Sequence, residues 1–587
     1  MGGPVERFSP LHIARVLGQP RPTEEQVAVI GAPLAPVLVV AGAGSGKTET
    51  MAARVVYLVA NGLVRPDQVL GLTFTRKAAA ELADRIRVRL RALNVAGVHP
   101  PDLHDPSDAD VSFLALGQPT IATYNSYAAS VVRDHGLRLG VDPEARLLTE
   151  GGRWQLLEHI VGTWQEGLET EASPNSVVEA VAHLADQLAE HGVAPSEAAE
   201  AIRSIAQTIA STPPAGRSKT LNQTLRAVVA SLTTRSEILL LVEAYTAAKA
   251  ERGMLDYADQ VAIAARLVAS DPAISTAERS RFEAVLLDEY QDTSPGQERL
   301  LAGLFGHAHP VMAVGDLHQS IYGWRGASAA GMARFPEHFH GADGTLPPVL
   351  TLSVAWRNDR AILNAANAMV DALSVSGGTP LSVGVTRLRP RPGVGDGQVE
   401  YRFLQTEAEE ATAIAQYLRE HWRPEPGGPT AAVLCRKRSQ FVPVAEALRE
   451  AEIPYEVVGL GGLLSVPEVQ DIVAALSAAH DPTRADALMR LLTSPRMRIG
   501  IADLEALAAS ARHLSADREG SPVRARGDSI EADGVEEHSI VDAVEDLPRA
   551  ETAGRYARTM TPAARRRLSR LAQVLRDLRA LSHVPLP

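Results

Sequence analysis

The octapeptide AGAGSGKT at 41–48 constrains this chain more than any other segment. It follows an apolar run, Val37–Val40, and precedes a stretch of helical period, Glu49–Val59. Strand, glycine-rich turn and helix together let successive backbone N–H groups converge on a phosphate at a helix N-terminus. Larger side chains would collide with the phosphates, so Ala41, Gly42, Ala43, Gly44, Ser45 and Gly46 are candidate phosphate-contacting positions. In the same pattern Lys47 reaches the outer phosphates and the Thr48 hydroxyl ligates Mg2+. The strict form begins on glycine, whereas Ala41 stands first here.

Such a loop needs a parallel sheet behind it. Short apolar runs recur at 69–73, 284–288 and 311–315 with helical patterns between them, which predicts an α/β fold on parallel strands. The run at 284–287 ends in Asp288 and Glu289. A carboxylate at a strand's C-terminal end can hold the magnesium, here Asp288, and its neighbour Glu289 can take a proton from an attacking water. Upstream, PTEEQ at 22–26 offers Gln26, whose amide can both donate to and accept from adenine. ATP is therefore the expected nucleotide.

A chain of 587 residues is too long for one core, so roughly three or four domains are expected. Residues 128–278 are Ala-rich and helical in period, which reads as a helical insert. Runs at 349–352, 399–404, 431–435 and 455–458 predict a second strand set, and the pattern turns helical again from about 467. Residues 515–539 are polar and Gly/Ser-rich, as a disordered loop would be. A last helix aligns Leu568, Leu571, Leu575 and Leu578 on one face.

Net charge is −12, which excludes a globally basic nucleic-acid binder but not a local basic groove. The single cysteine, Cys435, excludes an internal disulfide, an iron–sulfur cluster and a zinc knuckle, and AAVLCRK reads as a buried strand holding an inert thiol. No apolar run approaches a membrane span and the N-terminus lacks a signal-peptide core, so a cytoplasmic protein is expected.

Two further strings, LLDEYQDTS at 286–294 and VGDLHQSIYGWRGA at 314–327, are far more specific than a phosphate loop alone. With them the chain, from about residue 10 to about 510, resembles the UvrD/Rep/PcrA-like superfamily 1 helicases. The resemblance implies two RecA-like domains with inserted all-helical domains. The first would span 1–127 and 279–340 with an insert at 128–278. The second would occupy 341–466 in part, followed by a partial helical domain at 467–587. The implied activity is that of an ATP-dependent 3′-to-5′ DNA helicase or single-stranded DNA translocase subunit, acting on single-stranded and duplex DNA in double-strand-break or general DNA repair and recombination.

Residue roles carry over where the strings match. Phe74, Thr75 and Arg76 in TFTRKAA would touch the DNA strand, as would Thr123 and Asn125 in ATYNS, where the family usually has His at the Asn125 position. Leu255–Tyr257 with Asp259 resembles a third strand-contact segment. Gln319 would sense the γ-phosphate and couple it to DNA. Tyr322 and Trp324 would stack bases, which suits a motor that steps over any sequence. Arg325 would approach the phosphates or brace the loop. Arg357 in LSVAWRN would reach the γ-phosphate from the second α/β domain, with Ala355–Trp356 in place of the family's usual Asn-Tyr.

Within the family, GKTETMAARV, VLGLTFTRKAA and GLGGLLSVPEV resemble the AdnB subunit of the actinobacterial AdnAB helicase–nuclease, which implies an AdnA-like partner. Two later family segments, of Thr-x-His-x-x-Lys-Gly and Tyr-Val-Ala-x-Thr-Arg type, do not occur after Asp471, nor does a nuclease cluster. The expectation is a truncated engine of low turnover. A competing reading is a catalytically silent DNA-binding subunit of a helicase–nuclease complex, against which Lys47, Asp288, Glu289, Gln319 and Arg357 all stand intact. A P-loop kinase or transporter ATPase is disfavoured by QSIYGWRGA.

Overall fold

The computed structural model describes residues 7–98, 117–165, 168, 170, 172–212, 222–323, 330–375, 387–458, 466–518, 540–547 and 560–581. The chain divides into two compact units, residues 1–400 and 401–587.

The first unit is built on strands β1 (Val37–Ala41), β2 (Val69–Thr73), β3 (Thr120–Thr123), β6 (Ala284–Leu287), β7 (Val311–Gly315) and β8 (Val349–Leu352). They form one six-stranded parallel sheet in the order β3-β2-β6-β7-β1-β8. Val39 stands opposite Val314 on one side and Leu350 on the other. Helices cover both faces, so each central strand is apolar without alternation. Leu38, Val40, Leu70, Leu72 and Val285 enter one core, while Val37, Val39, Val69, Ala284 and Leu286 enter the opposite one.

Two short parallel pairs complete the strands: β4 (Arg146–Leu147) with β5 (Met254–Leu255), and β9 (Val354–Ala355) with β10 (Arg389–Pro390). The helices that carry the site are α1 (Pro10–Val16), α2 (Glu24–Ile30), α3 (Lys47–Ala60), α4 (Arg76–Val95) and α5 (Tyr124–His135).

Val349–Leu352, expected to open a second strand set, instead closes the edge of the first sheet beside β1. Glu25 of α2 fixes the segment that follows: its carboxylate accepts from the Ser353 N–H at 2.7 Å and the Ser353 hydroxyl at 2.6 Å.

Within the span 128–278, a core separate from the sheet forms from Leu148, Leu157, Val178, Val181, Leu241 and Tyr245. The helices Tyr257–Ser270 and Pro272–Arg281 pack on the sheet instead, through Val261, Ala264, Leu267 and Ile274. At the base of the insert, buried Lys249 bonds Asp256 and Asp259, each at 2.6 Å. Asp256 and Asp259 also cap the helix Tyr257–Ser270 reciprocally. Asp259, read as part of a strand-contact segment, is thus committed to this staple, while Tyr257 is half exposed.

In the second unit the helices Glu407–His421 and Phe441–Glu450 pack on each other. The runs 399–404, 431–435 and 455–458, expected as strands, carry no ladder, and Phe403 and Leu434 are 99% and 94% exposed. The apolar residues that suggest strands are present, but a strand is stable only with a neighbouring edge and a face to bury, and the described residues supply neither. Cys435 is accordingly half-buried and outside any strand, not a core thiol.

The remaining helices form a bundle. Ala478, Leu488, Leu492, Leu507, Val544, Leu568 and Leu575 are buried in it, and Leu571, Ala572 and Leu578 extend the face expected for the last helix, Pro562–Leu581. Of the loop expected at 515–539, residues 515–518 continue the helix Ile501–Arg518, and the rest lies outside the described residues. No helix among the described residues is long and apolar enough to cross a membrane.

Candidate nucleotide and strand site

Because all six strands run the same way, their C-terminal ends share one edge of the sheet, where α/β folds place ligands. The order of strands sets what meets what. The phosphate loop leaves β1, and Asp288–Glu289 leave β6. The loop after β7 lies between them, because β7 separates the two strands. Phe74–Arg76 leave β2 and Thr123 closes β3, so these two segments are neighbours farther along the edge.

The loop has the backbone its sequence demands. Gly44 and Gly46 sit at φ +71° and +82°, a region side-chain-bearing residues avoid, and Gly46 serves as N-cap of α3. Lys47 and Thr48 open α3, whose first N–H groups point to the loop. Ala41 ends β1 fully buried, and Gly42 N–H donates to Leu352 O at 2.9 Å. Lys47 Nζ bonds Glu289 Oε2 at 2.9 Å.

Asp288 is 3% exposed, and burial, with the Glu289 charge beside it, pushes its carboxyl up to about 7 against the opposing pull of Lys47. Glu289 is a non-glycine residue at φ 49°, a strained conformation costing about 1–3 kcal/mol that fixes where its carboxylate points. Tyr124 of α5 braces the same turn, its hydroxyl donating to Asp288 O at 2.8 Å.

Gln26 is held at both ends of its amide. Oε1 accepts from Thr23 N–H at 3.0 Å in a capping box, and Nε2 lies 3.4 Å from Ser45 O. A cleft of about 380 Å³ runs from Gly46 and Gln26 past Trp356 to Tyr57 and Arg89, a size typical of small-ligand pockets. Trp356, noted in the sequence only as the residue before the candidate arginine, lines this cleft. Its backbone N–H donates to Gly44 O at 2.8 Å. The Trp356 indole N–H and the Ser45 hydroxyl are buried without a hydrogen-bond partner among the described residues. Orphaned polar groups beside a glycine loop, with a buried aspartate and a half-buried glutamate opposite one lysine, fit a nucleotide phosphate and a divalent cation.

Arg357 lies close to the phosphate loop. It follows β8 and β9 of the first unit, and its Cβ lies 2.9 Å from where a Cβ on Gly44 would stand. The arginine stands two residues beyond β9, beside the phosphate loop. Trp324 and Arg325 lie outside the described residues.

Toward the other end of the edge, Phe74 and Tyr322 stack with ring centroids 4.5 Å apart, an offset aromatic pair joining the β2 loop to the β7 loop. Thr75 and Thr123 spend their hydroxyl oxygens on capping α4 and α5, at 3.1 Å from Ala78 N and Ser126 N. Arg76 is exposed at the start of α4. Asn125 accepts from Gln297 Nε2 at 2.9 Å, so its carbonyl is partly committed inside the protein. Gln319 donates to Asp316 Oδ2 at 2.5 Å. Gln291 and Asp316, not among the expected site residues, are buried between Glu289 and Gln319; their sequence signal is their position inside the two specific strings.

Comparison with known proteins agrees with this geometry. Residues 22–340 match the UvrD/REP helicase N-terminal domain, and residues 350–516 match the UvrD-like helicase C-terminal domain. The chain is 26% identical over 487 residues to the ATP-dependent DNA helicase PcrA of Leuconostoc citreum, covering 82% of this chain and 55% of that protein. It is 26% identical over 498 residues to DNA helicase II of Escherichia coli (strain K12), covering 84% of this chain and 59% of that protein. The chain thus spans somewhat over half the length of these relatives. Since the N-terminal match alone takes in more than half of the chain, and the loop, acid pair and aromatic pair lie on one sheet edge within it, this protein belongs to the UvrD/Rep helicase family.

Proposed function

We propose that this chain is an ATP-dependent DNA helicase or single-stranded DNA translocase subunit. One observation carries the reading: the edge of a single sheet bears both a phosphate loop opposed by an acid pair and a half-buried aromatic pair, joined by the loop after β7. In this account Gly42 to Thr48 hold the triphosphate, with Gln26 and Trp356 at the base. Asp288 and Thr48 would hold magnesium, which would neutralise phosphate charge. Lys47 leaves Glu289 for the outer phosphates, and Glu289 then orients the attacking water and accepts its proton. Arg357, beside Gly44, meets charge developing on the transferred group. Phe74 and Tyr322 receive a base, with Thr75, Arg76, Thr123 and Asn125 along the backbone track.

The finer reading is 3′-to-5′ movement in double-strand-break repair as an AdnB-type subunit beside an AdnA-like partner. It rests on the sequence strings alone. Polarity is measured by streptavidin displacement from oligonucleotides labelled at either end.

Tyr322→Ala weakens single-stranded DNA affinity by about 5- to 150-fold, the worth of stacking one base at roughly 1–3 kcal/mol. Affinity for an ATP analogue stays unchanged. Fluorescence anisotropy with a labelled oligodeoxythymidine checks the first and calorimetry the second. Equal loss of both contradicts a strand-contact role and makes the ring pair core packing.

A further inference from the structure

Gln291 has no role in the scheme above, yet it is 1% exposed and both ends of its amide are used. Nε2 donates to Glu289 Oε2 at 2.8 Å and lies 3.4 Å from Asp292 Oδ2. Oε1 accepts from Asp316 N–H at 2.9 Å, and the Gln291 carbonyl accepts from the Ser320 hydroxyl at 3.2 Å. One buried side chain therefore joins the carboxylate of Glu289 to the first residue of the loop after β7. That loop continues through Gln319, whose N–H donates to Asp316 O at 3.0 Å, to Tyr322 on its Phe74 partner. The neighbouring Asp292 accepts from the backbone N–H groups of Ile321 and Tyr322.

The backbone around Gln291 is shaped to admit its amide. A Cβ on Gly315, the last residue of β7, would stand 2.6 Å from Gln291 Oε1 and 2.7 Å from Met332 Sδ. An apolar side chain would fill the same space without needing these polar partners, and filling alone does not require a planar amide. The amide is rigid, so a displacement of Asp316 N–H at one end shifts the donor to Glu289 at the other. This matters once Lys47 turns to phosphate, because Gln291 is then the group that keeps the carboxylate aimed.

We propose that Gln291 is the positioning residue through which strand occupancy at Phe74–Tyr322 and nucleotide occupancy at Lys47–Glu289 are coupled. The proposal rests on the function inferred above. Coupling of this kind is reciprocal and can be read from binding alone.

The test measures the affinity of the whole chain for a labelled oligodeoxythymidine, with and without a magnesium complex of a non-hydrolysable ATP analogue. In the native chain the analogue changes DNA affinity by a factor of about 5–150. In Gln291→Met, near in shape but without hydrogen bonds, that factor falls to about 1, while the affinity for each ligand alone stays within about twofold. Gly315→Ala, which displaces the amide without removing it, lowers the factor in the same direction. Should Gln291→Met fail to fold, Gln291→Asn, one methylene short of both partners, carries the test with the same expected outcome. A packing role would weaken both separate affinities or the melting temperature and leave the factor intact. A factor retained in the folded Gln291 variant overturns the inference, as does a factor of about 1 in the native chain. A native chain that does not bind the oligonucleotide overturns the functional reading, and the coupling with it.

Discussion

Lys47→Ala lowers ATP turnover by on the order of 10²–10³-fold, the loss expected when one group that stabilises transition-state charge is removed. The structure adds a second reason for a large effect. Lys47 Nζ is the cation 2.9 Å from Glu289, and Glu289 adjoins the buried Asp288. Without the lysine, two neighbouring carboxylates remain in a poorly solvated turn, and the phosphates lose their nearest positive charge. Phosphate release in the presence of single-stranded DNA, together with equilibrium binding of an ATP analogue, measures both consequences. Turnover retained in the variant contradicts the placement of the nucleotide.

Glu289→Gln separates binding from chemistry. The substitution keeps the shape and an acceptor oxygen for Gln291 Nε2, which now lies 2.8 Å from the carboxylate. It removes the base that takes the proton from water, a contribution of about 10²–10⁴-fold. It also frees Lys47 from its ion pair, so analogue affinity is undiminished or higher. Single-turnover hydrolysis against equilibrium binding reads the two quantities apart. A variant that loses binding in parallel with hydrolysis makes Glu289 a structural partner of Lys47 and not the base.

The residues legible in the sequence were those whose local chain is self-sufficient. A glycine loop between a strand and a helix needs only its own dihedrals, so Gly44, Gly46 and Lys47 could be placed from the string alone, as could the acid pair at the end of β6. The helical face of Leu568, Leu571 and Leu575 follows from periodicity in the same way. What failed depends on which strand finds which partner. Val349–Leu352 has the composition of any buried strand, and only the open edge beside β1 decides its place. Arg357, five residues beyond that strand, lies beside the phosphate loop.

The runs at 399–404, 431–435 and 455–458 erred for the same reason, since strand-like composition says nothing of whether a neighbouring edge exists. Asp259 caps a helix and bonds Lys249, partners its place in the sequence does not announce. Gln291 and Asp316 escaped notice because their significance is mutual: neither signals anything until β6 and β7 stand side by side.

The most direct measurement is the rate of ATP hydrolysis by this chain with and without single-stranded DNA. A strong rise on adding DNA is expected, because a base entering beside Tyr322 is tied through Asp316 and Gln291 to Glu289. ATP binding with a hydrolysis rate that DNA leaves unchanged would contradict it, leaving a nucleotide site that no strand controls.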